Sequence, residues 1–238
     1  MMRASDHAYE TLLREIQSGH LPPGTVLAEA EQAERLGVSR TPLREALTRL
    51  AGDRLVEQAS PRVTVVTDIN TDDIRALFTV RRALEETAAS LAASSVCRHP
   101  SRADPFVHLV EAFDQTSLEG DGGHDDYYAL IADFDRAVDA AADNDYLVAA
   151  LRTVRMHLVR VRLLARQHPD RLAASVSEHA LIARAIAEGN TELAAHATHV
   201  HLHNALTSIL ASLSSEHLRT DSAPEPSSHS FALRKGAA

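Results

Sequence analysis

Apolar residues recur at helical spacing in the first part of the chain and are followed by two segments of alternating character. The helical spacing predicts helices over residues 6–18, 28–36 and 42–52. Residues 55–59 and 62–67 are β-like and flank a Ser-Pro step, which predicts a β-hairpin. Three short helices followed by a hairpin are typical of a winged helix-turn-helix.

The pattern changes after residue 67. A polar hinge at 68–72 precedes helical spacing that continues almost to the end of the chain. We expect helices near 71–96, 103–118, 124–143, 145–167, 175–189 and 190–214, with Ser175 and Glu178 capping the fifth. Residues 217–238 are rich in Ser and Pro, which predicts a disordered tail. The predicted fold class is mainly α, with a winged helix-turn-helix in residues 1–67 and an all-α antiparallel bundle in residues 73–216.

Composition excludes several classes of protein. Cys97 is the only cysteine, so a disulfide framework is excluded, and no apolar run approaches the ~18 residues of a membrane span. The first residues lack the apolar core of a signal peptide, so we expect a soluble cytoplasmic protein without a membrane partner. Of the net charge of −9, residues 1–66 contribute −1 and residues 67–238 contribute −8. The acidic excess therefore belongs to the bundle and leaves the head free to bind nucleic acid.

The third predicted helix presents a basic face beside its apolar stripe. Thr41 is expected to cap this helix and Pro42 to occupy its first position. The face opposite the stripe carries Ser39, Arg40, Thr41, Arg44 and Thr48. Arginine near the start of such a helix can donate two hydrogen bonds to guanine, and threonine hydroxyls suit phosphate. The pattern predicts a DNA-binding face. The alternative is a small helical subdomain whose charged face is only solvated.

Polar residues interrupt the apolar faces of the predicted bundle. Arg81 lies in the stripe of its first helix, where it either pairs with Glu85 or clamps a ligand carboxylate. Asp135, His179 and His201 point inward from three further helices. One carboxylate and two imidazoles suit Zn²⁺, Ni²⁺ or Mn²⁺. The alternative is a group of buried side chains that are satisfied by hydrogen bonds.

The run AERLGVSRTPLREALTRLAGDRLVEQ (33–58), preceded by LPPGTVLAE (21–29), closely resembles the helix-turn-helix of GntR-family transcriptional regulators. The resemblance implies operator contacts by Arg35, Arg40, Thr41 and Arg44, and by Arg62 in the wing, with Ser39 in the same turn. Two positions depart from the family pattern. Ala30 stands where arginine is frequent, and Val63 follows Arg62 where glycine is usual.

Four later segments are similar to the FCD effector domain, namely VRRALEETAASLAA (80–93), FDRAVDAAADN (134–144), SEHALIARAIAEGN (177–190) and HL (201–202). Many such domains hold a metal through an Asp, a His four residues later and two further His. His179 and His201 match the last two, whereas Ile131 and Asp135 replace the first pair. The resemblance implies one of two sites. Asp135, His179 and His201 hold a divalent metal completed by water or effector oxygens, or Arg81 and the histidines bind an acid directly.

These patterns predict a ligand-responsive transcriptional regulator. We expect a homodimeric repressor that binds a near-palindromic operator and responds to a small carboxylate or hydroxy acid. Its expected effector site comprises Arg81, Asp135, His179 and His201. Two other functions stay open, a DNA-binding dimer without an effector and a metal-dependent enzyme. The sequence has no HExxH or paired ExxH motif, so we do not expect an enzyme.

Overall fold

A computed structural model describes residues 2–60, 63–118, 123–165 and 169–220. The N-terminal head contains α1 (Ala4–Gln17), α2 (Glu29–Arg35) and α3 (Arg40–Gly52), with strands β1 (Val26–Ala28), β2 (Val56–Ser60) and β3 (Val63–Val66). The strands form an antiparallel sheet in the order β1-β3-β2. The predicted winged helix-turn-helix is therefore confirmed. β1 was not predicted, because a segment of three residues is too short to show an alternating pattern.

The core of the head is made by the apolar faces of α1 and α3. Leu12 and Ile16 of α1 are buried in one cluster with Leu43 and Leu50 of α3. Burial of each such side chain stabilises the fold by about 1.5–3 kcal/mol. Because the apolar stripe of α3 faces α1, the polar face of α3 is left on the surface.

The start of α3 differs from the prediction. Ser39 is the N-cap residue, with extended backbone angles (φ −75°, ψ 166°), and Arg40 is the first helical residue. The prediction that Thr41 caps the helix and Pro42 begins it is therefore wrong. Pro42 is still tolerated because the N–H groups of the first helical turn have no partner within the helix.

The rest of the described chain is helical, as predicted. It contains α4 (Thr71–Arg98), a short 3-10 helix (Pro100–Ala103), α5 (Asp104–Gln115), α6 (Gly123–Ala142), α7 (Asp145–Ala165), α8 (Pro169–Ala187) and α9 (Thr191–Thr220). α4 lies at the centre of this bundle and contacts α6, α7, α8 and α9. No helix in the described part of the chain combines the length and apolarity needed to cross a membrane.

Two helix boundaries in the bundle differ from the prediction. α8 begins at Pro169, so Ser175 and Glu178 lie inside the helix and the prediction that they cap it is wrong. α9 continues to Thr220, which extends it into the segment predicted as a tail. Residues 221–238 of that predicted tail lie outside the described residues.

Helix α7 joins the bundle to the head through several polar contacts. Gln17 of α1 donates a hydrogen bond from Nε2 to the carbonyl oxygen of Met156, at 3.1 Å. Arg160 donates to the carbonyl oxygen of Thr67 at 2.5 Å and to its hydroxyl at 3.2 Å. The Tyr9 hydroxyl lies 3.8 Å from the Met156 sulfur. A movement of α7 would therefore directly change these contacts with the head.

Candidate functional site

The exposed face of α3 is the first candidate site. Ser39, Arg40, Thr41 and Arg44 are all exposed and cluster at the N-terminal end of the helix, opposite its buried stripe. The N–H groups of a helix N-terminus favour negatively charged ligands such as phosphate. Arg40 has no ion-pair or hydrogen-bond partner within the described ranges. The structure thus brings these four predicted residues together on one basic surface.

Arg44 is held in place by a carboxylate that sequence reasoning did not identify. Its Nε lies 2.9 and 3.0 Å from the two carboxylate oxygens of Glu29, and its Nη2 lies 2.8 Å from one of them. The Arg44 side chain remains 59% exposed. Any ligand of the Arg44 guanidinium would therefore have to compete with Glu29 of α2.

Two further arginines near this face, Arg35 and Arg49, support the fold of the head. Arg35 donates to both carboxylate oxygens of Glu15, at 2.6 and 2.7 Å, and thereby ties α2 to α1. Arg49 donates to Asp6 at 2.8 Å and lies 4.0 Å from the centre of the Tyr9 ring. The predicted wing contact, Arg62, lies outside the described residues. Arg35 and Arg49 are thus engaged by acidic groups within the head.

The second candidate site is a cavity of two adjoining lobes inside the helical bundle. Both lobes share a wall formed by Arg81, Ile131, His179 and His201, which come from α4, α6, α8 and α9. The smaller lobe, here called the polar lobe, has a volume of about 20 Å³ and continues to Arg155 of α7. The larger lobe, called the apolar lobe, has a volume of about 70 Å³. Three of the predicted effector residues therefore line both lobes.

Arg81 forms an ion pair with Glu85, which was one of the two roles predicted for it. Its Nε donates to the Glu85 carboxylate at 2.7 Å, and the Arg81 side chain is only 9% exposed. Burial opposes ionisation of Glu85, but the charge of Arg81 and the hydrogen bond outweigh it and hold the pKa of Glu85 below its usual value. Glu85 is therefore ionised at neutral pH, inside the cavity wall.

His201 is paired with Glu178, the residue that directly precedes His179 on the neighbouring helix α8. The distance from Nδ1 of His201 to the Glu178 carboxylate is 2.7 Å. Burial, assisted by the charge of Arg81, lowers the pKa of His201 below its usual value despite that hydrogen bond. A neutral ring that donates from Nδ1 carries its lone pair on Nε2.

His179 is also held through its Nδ1 atom. Its Nδ1 lies 2.8 Å from the carbonyl oxygen of Ser175 and 3.2 Å from the Tyr127 hydroxyl. A carbonyl oxygen only accepts, so Nδ1 carries a hydrogen. The rings of His179 and His201 meet edge to face, with centroids 4.3 Å apart. The structure therefore brings these two predicted residues into direct contact.

Asp135 lies in the polar lobe but faces a cation. Its carboxylate is 3.4 Å from Nη2 of Arg155, whose Nη1 donates to Asp139 at 2.6 Å. Burial alone would lower the pKa of Arg155. The negative charges of Asp135 and Asp139 outweigh burial and raise that pKa above its usual value. Sequence reasoning missed Arg155 because its partners lie on α6, more than four turns away along the chain.

Arg171 of α8 is a further cavity residue that was missed. It lines the apolar lobe and donates from Nη2 to Glu178 at 2.7 Å. Because the predicted helix began at Ser175, Arg171 was left in a loop. Pro169, in the first position of α8, is a helix-start signal that could have corrected this.

The side chains do not fit the three-ligand metal centre that the resemblance implies. Ile131 offers no donor atom, and Asp135 is engaged by Arg155. Within the described ranges, no three His, Cys, Asp or Glu side chains are arranged to hold a metal ion. Two guanidinium groups, Arg81 and Arg155, also line the polar lobe and would repel a cation. The arrangement of the described residues therefore does not fit Zn²⁺, Ni²⁺ or Mn²⁺.

A winged helix-turn-helix joined to a separate helical domain defines a class of protein, the two-domain DNA-binding transcriptional regulators. Comparison with known families agrees. Residues 4–66 match the family described as "Bacterial regulatory proteins, gntR family", and residues 76–204 match the FCD domain. The chain belongs to the gntR family of DNA-binding transcriptional regulators and carries an FCD domain.

Individual relatives are similar over most of their length. The chain is 31% identical over 191 residues to a "Probable D-xylose utilization operon transcriptional repressor" of Paenarthrobacter nicotinovorans, covering 80% of this chain and 82% of the relative. The solved structure of E. coli McbR/YncC superposes with a TM-score of 0.67 at 21% identity, covering 90% of this chain and 100% of that one. A putative GntR regulator from Rhodococcus sp. RHA1 gives 0.66 at 22% identity, covering 87% and 97%. These two structures support the fold.

Proposed function

We propose that the protein is a homodimeric repressor whose affinity for operator DNA is lowered by a small organic acid bound in the two-lobed cavity. The observation that carries this proposal is the position of α7. Arg155 on this helix lines the cavity, whereas Met156 and Arg160 bond to the head. The proposal therefore has three components: the dimer, the repressor output and the acid effector.

The chemistry of the cavity favours a small carboxylate or hydroxy acid. Guanidinium groups such as those of Arg81 and Arg155 form strong hydrogen bonds to carboxylates. The Nε2 lone pair of a neutral His201 accepts a hydrogen bond from a hydroxyl group. A water-sized group needs about 10–15 Å³ of free volume, so lobes of about 20 and 70 Å³ favour an effector with few heavy atoms. We assign Arg81, Asp135, His179 and His201 to the effector site and add Arg155.

The effector would act by competing for Arg155. A carboxylate in the polar lobe draws the Arg155 guanidinium away from Asp139 and so displaces α7. Because Arg160 bonds to Thr67, this displacement changes the orientation of the head relative to the bundle. A ligand shifts such an equilibrium only by the difference in its affinity for the two arrangements.

Operator recognition is assigned to the exposed start of α3. In a dimer, two copies of this helix would enter successive major grooves of a near-palindromic site, about 34–36 Å apart. Ser39, Arg40, Thr41 and Arg44 would contact bases and phosphates. The Paenarthrobacter relative is named as a probable transcriptional repressor, which supports repression as the output. Such a protein acts in the cytoplasm.

Fluorescence anisotropy with DNA from upstream of the protein's own gene tests this function. We expect specific binding that a saturating acid weakens about 5- to 150-fold, the range of typical coupling energies. Arg155→Met should bind the operator but lose the response to acid. Arg152→Met removes an exposed arginine of the same helix and should respond like the wild type. Binding no tighter than to random DNA at every salt concentration would contradict operator recognition.

A DNA-binding dimer without an effector is the second candidate. The ion pairs of Arg81 with Glu85 and of Arg155 with Asp139 favour it, because both guanidinium groups already have partners in the bundle. Thermal unfolding with a panel of organic acids separates the two functions. An effector at 100 times its Kd adds about 2.7 kcal/mol of stability. No shift with any acid would favour the second candidate.

A further inference from the structure

Arg171 has a buried donor that nothing in the described part of the protein uses. Its Nη2 donates to Glu178 at 2.7 Å and lies 3.4 Å from the carbonyl oxygen of His201. Its Nη1 is buried and has no hydrogen-bond partner among the described residues. A buried charged donor without an acceptor is destabilising. An acceptor supplied by a ligand would remove this cost.

The apolar lobe, which Arg171 lines, differs from the polar lobe in the charged groups of its lining. Two guanidinium groups, Arg81 and Arg171, belong to its lining, and the described lining includes no carboxylate. Glu85 and Asp135 line only the polar lobe. Most of the other residues around the apolar lobe are apolar, among them Phe78, Leu158, Leu172 and Ile209. The lobe therefore has an apolar middle and two guanidinium groups in its lining, whose carboxylate partners Glu85 and Glu178 lie outside that lining.

We propose that the apolar lobe binds a dicarboxylate and that Arg171 is the residue that selects it. One carboxylate lies at the wall shared by the lobes, where Arg81 and Arg155 of the polar lobe can both donate to it, and the other accepts from Nη1 of Arg171. The carbon chain between them lies against Phe78, Leu158 and Leu172. This inference rests on the proposed function, since it names the class of acid that the cavity takes.

Selectivity follows from the cost of leaving one guanidinium without an acceptor. A monocarboxylate of equal length satisfies only one of the two and places a methyl group beside the other. Sites built to hydrogen-bond a polar group discriminate strongly against analogues that lack it. One charge-assisted contact corresponds to about a 10- to 100-fold difference in affinity.

Calorimetric titration of the full chain tests this proposal with acids matched in length. Succinate, glutarate and adipate are compared with butyrate, valerate and hexanoate. In the wild type, at least one diacid should bind about 10- to 100-fold more tightly than its matched monoacid. Arg171→Met should abolish this preference and leave the monoacid affinity little changed. Arg184→Met removes an exposed arginine of the same helix, paired with Asp114 at 3.4 Å, and should keep the preference.

Two results would overturn the proposal while leaving the proposed function intact. The first is equal binding of diacids and monoacids by a wild type whose operator affinity still responds to them. The second is a loss of both classes to the same degree in Arg171→Met. Arg171→Lys keeps the positive charge but lacks the planar guanidinium group, and it serves as the test if Arg171→Met does not fold. In that variant the diacid preference should fall, and an unchanged preference would overturn the proposal. If no acid binds the wild type, both this proposal and the acid effector fail.

Discussion

Neutralising Glu178 should destabilise the bundle by about 2 kcal/mol at pH 7 and by little near pH 2. This carboxylate joins α8 to α9. It accepts hydrogen bonds from His201, Arg171 and Asn204, each at 2.7 Å. Burial alone would raise its pKa, but these three donors lower the pKa of Glu178 from 4.5 to about 2.

The magnitude follows from linkage between proton binding and folding. A carboxylate whose pKa is lower in the folded state stabilises the fold above its unfolded pKa, and loses that effect as pH falls through its folded pKa. A shift from 4.5 to about 2 corresponds to about 3 kcal/mol at 1.36 kcal/mol per pKa unit. The Glu178 side chain is 17% exposed, so screening by solvent reduces the expected effect to about 2 kcal/mol.

Urea unfolding of the wild type and Glu178→Gln between pH 7 and pH 2.5 measures this effect. The difference in the free energy of unfolding should be constant above about pH 5 and shrink steadily below pH 4.5. Glu188→Gln, which changes an exposed carboxylate just after α8, should leave the stability unchanged at every pH. A difference that is the same at pH 3 and pH 7 would refute the reasoning, as would a variant as stable as the wild type at pH 7.

Four further outcomes follow from the structure. Arg44→Ala should reduce operator discrimination by about 1–3 kcal/mol, and an equal loss on operator and random DNA would indicate a phosphate contact instead. Arg35→Ala should lower the free energy of unfolding by about 1 kcal/mol in urea, because the partly exposed bridge to Glu15 is lost; an unchanged stability would rule out that role. Arg160→Met should bind acids normally yet lose their effect on operator affinity, and a full response would exclude transmission through this residue. Elemental analysis of the purified protein should find no stoichiometric Zn²⁺, Ni²⁺ or Mn²⁺, and a stoichiometric metal that disappears in Asp135→Ala would restore the metal interpretation.

Features that depend on local spacing could be predicted from the sequence. The apolar stripe of α3 decides which side of the helix faces α1, so its exposed polar face follows directly. The pair of Arg81 and Glu85 is separated by four residues on one helix, and the spacing alone identifies it as one of two alternatives. The motif around residues 33–58 was sufficiently long to identify the family of the head.

Features that depend on contacts between distant helices could not be predicted. Glu29 holds Arg44 across α2 and α3, and Asp139 holds Arg155 across α6 and α7. No periodicity in the sequence marks such partners, because they are determined by how the helices pack. Arg171 was missed for a different reason, because the predicted helix began at Ser175 whereas α8 begins at Pro169. The structure places both predicted histidines at the wall shared by the two lobes, whereas the sequence did not identify Arg155 and Arg171 as lining residues.

The position of α7 explains how an effector of few atoms could control a separate head. Successive residues on an α-helix point about 100° apart, so Arg155 reaches the cavity while Met156 meets α1. A rigid helix cannot move its cavity side without moving its head side as well. Hydrogen bonds weaken steeply as they lengthen and bend, so a small shift of α7 is enough to loosen Arg160 from Thr67. Competition for one guanidinium can therefore alter the contact between the two domains without a large rearrangement of the bundle.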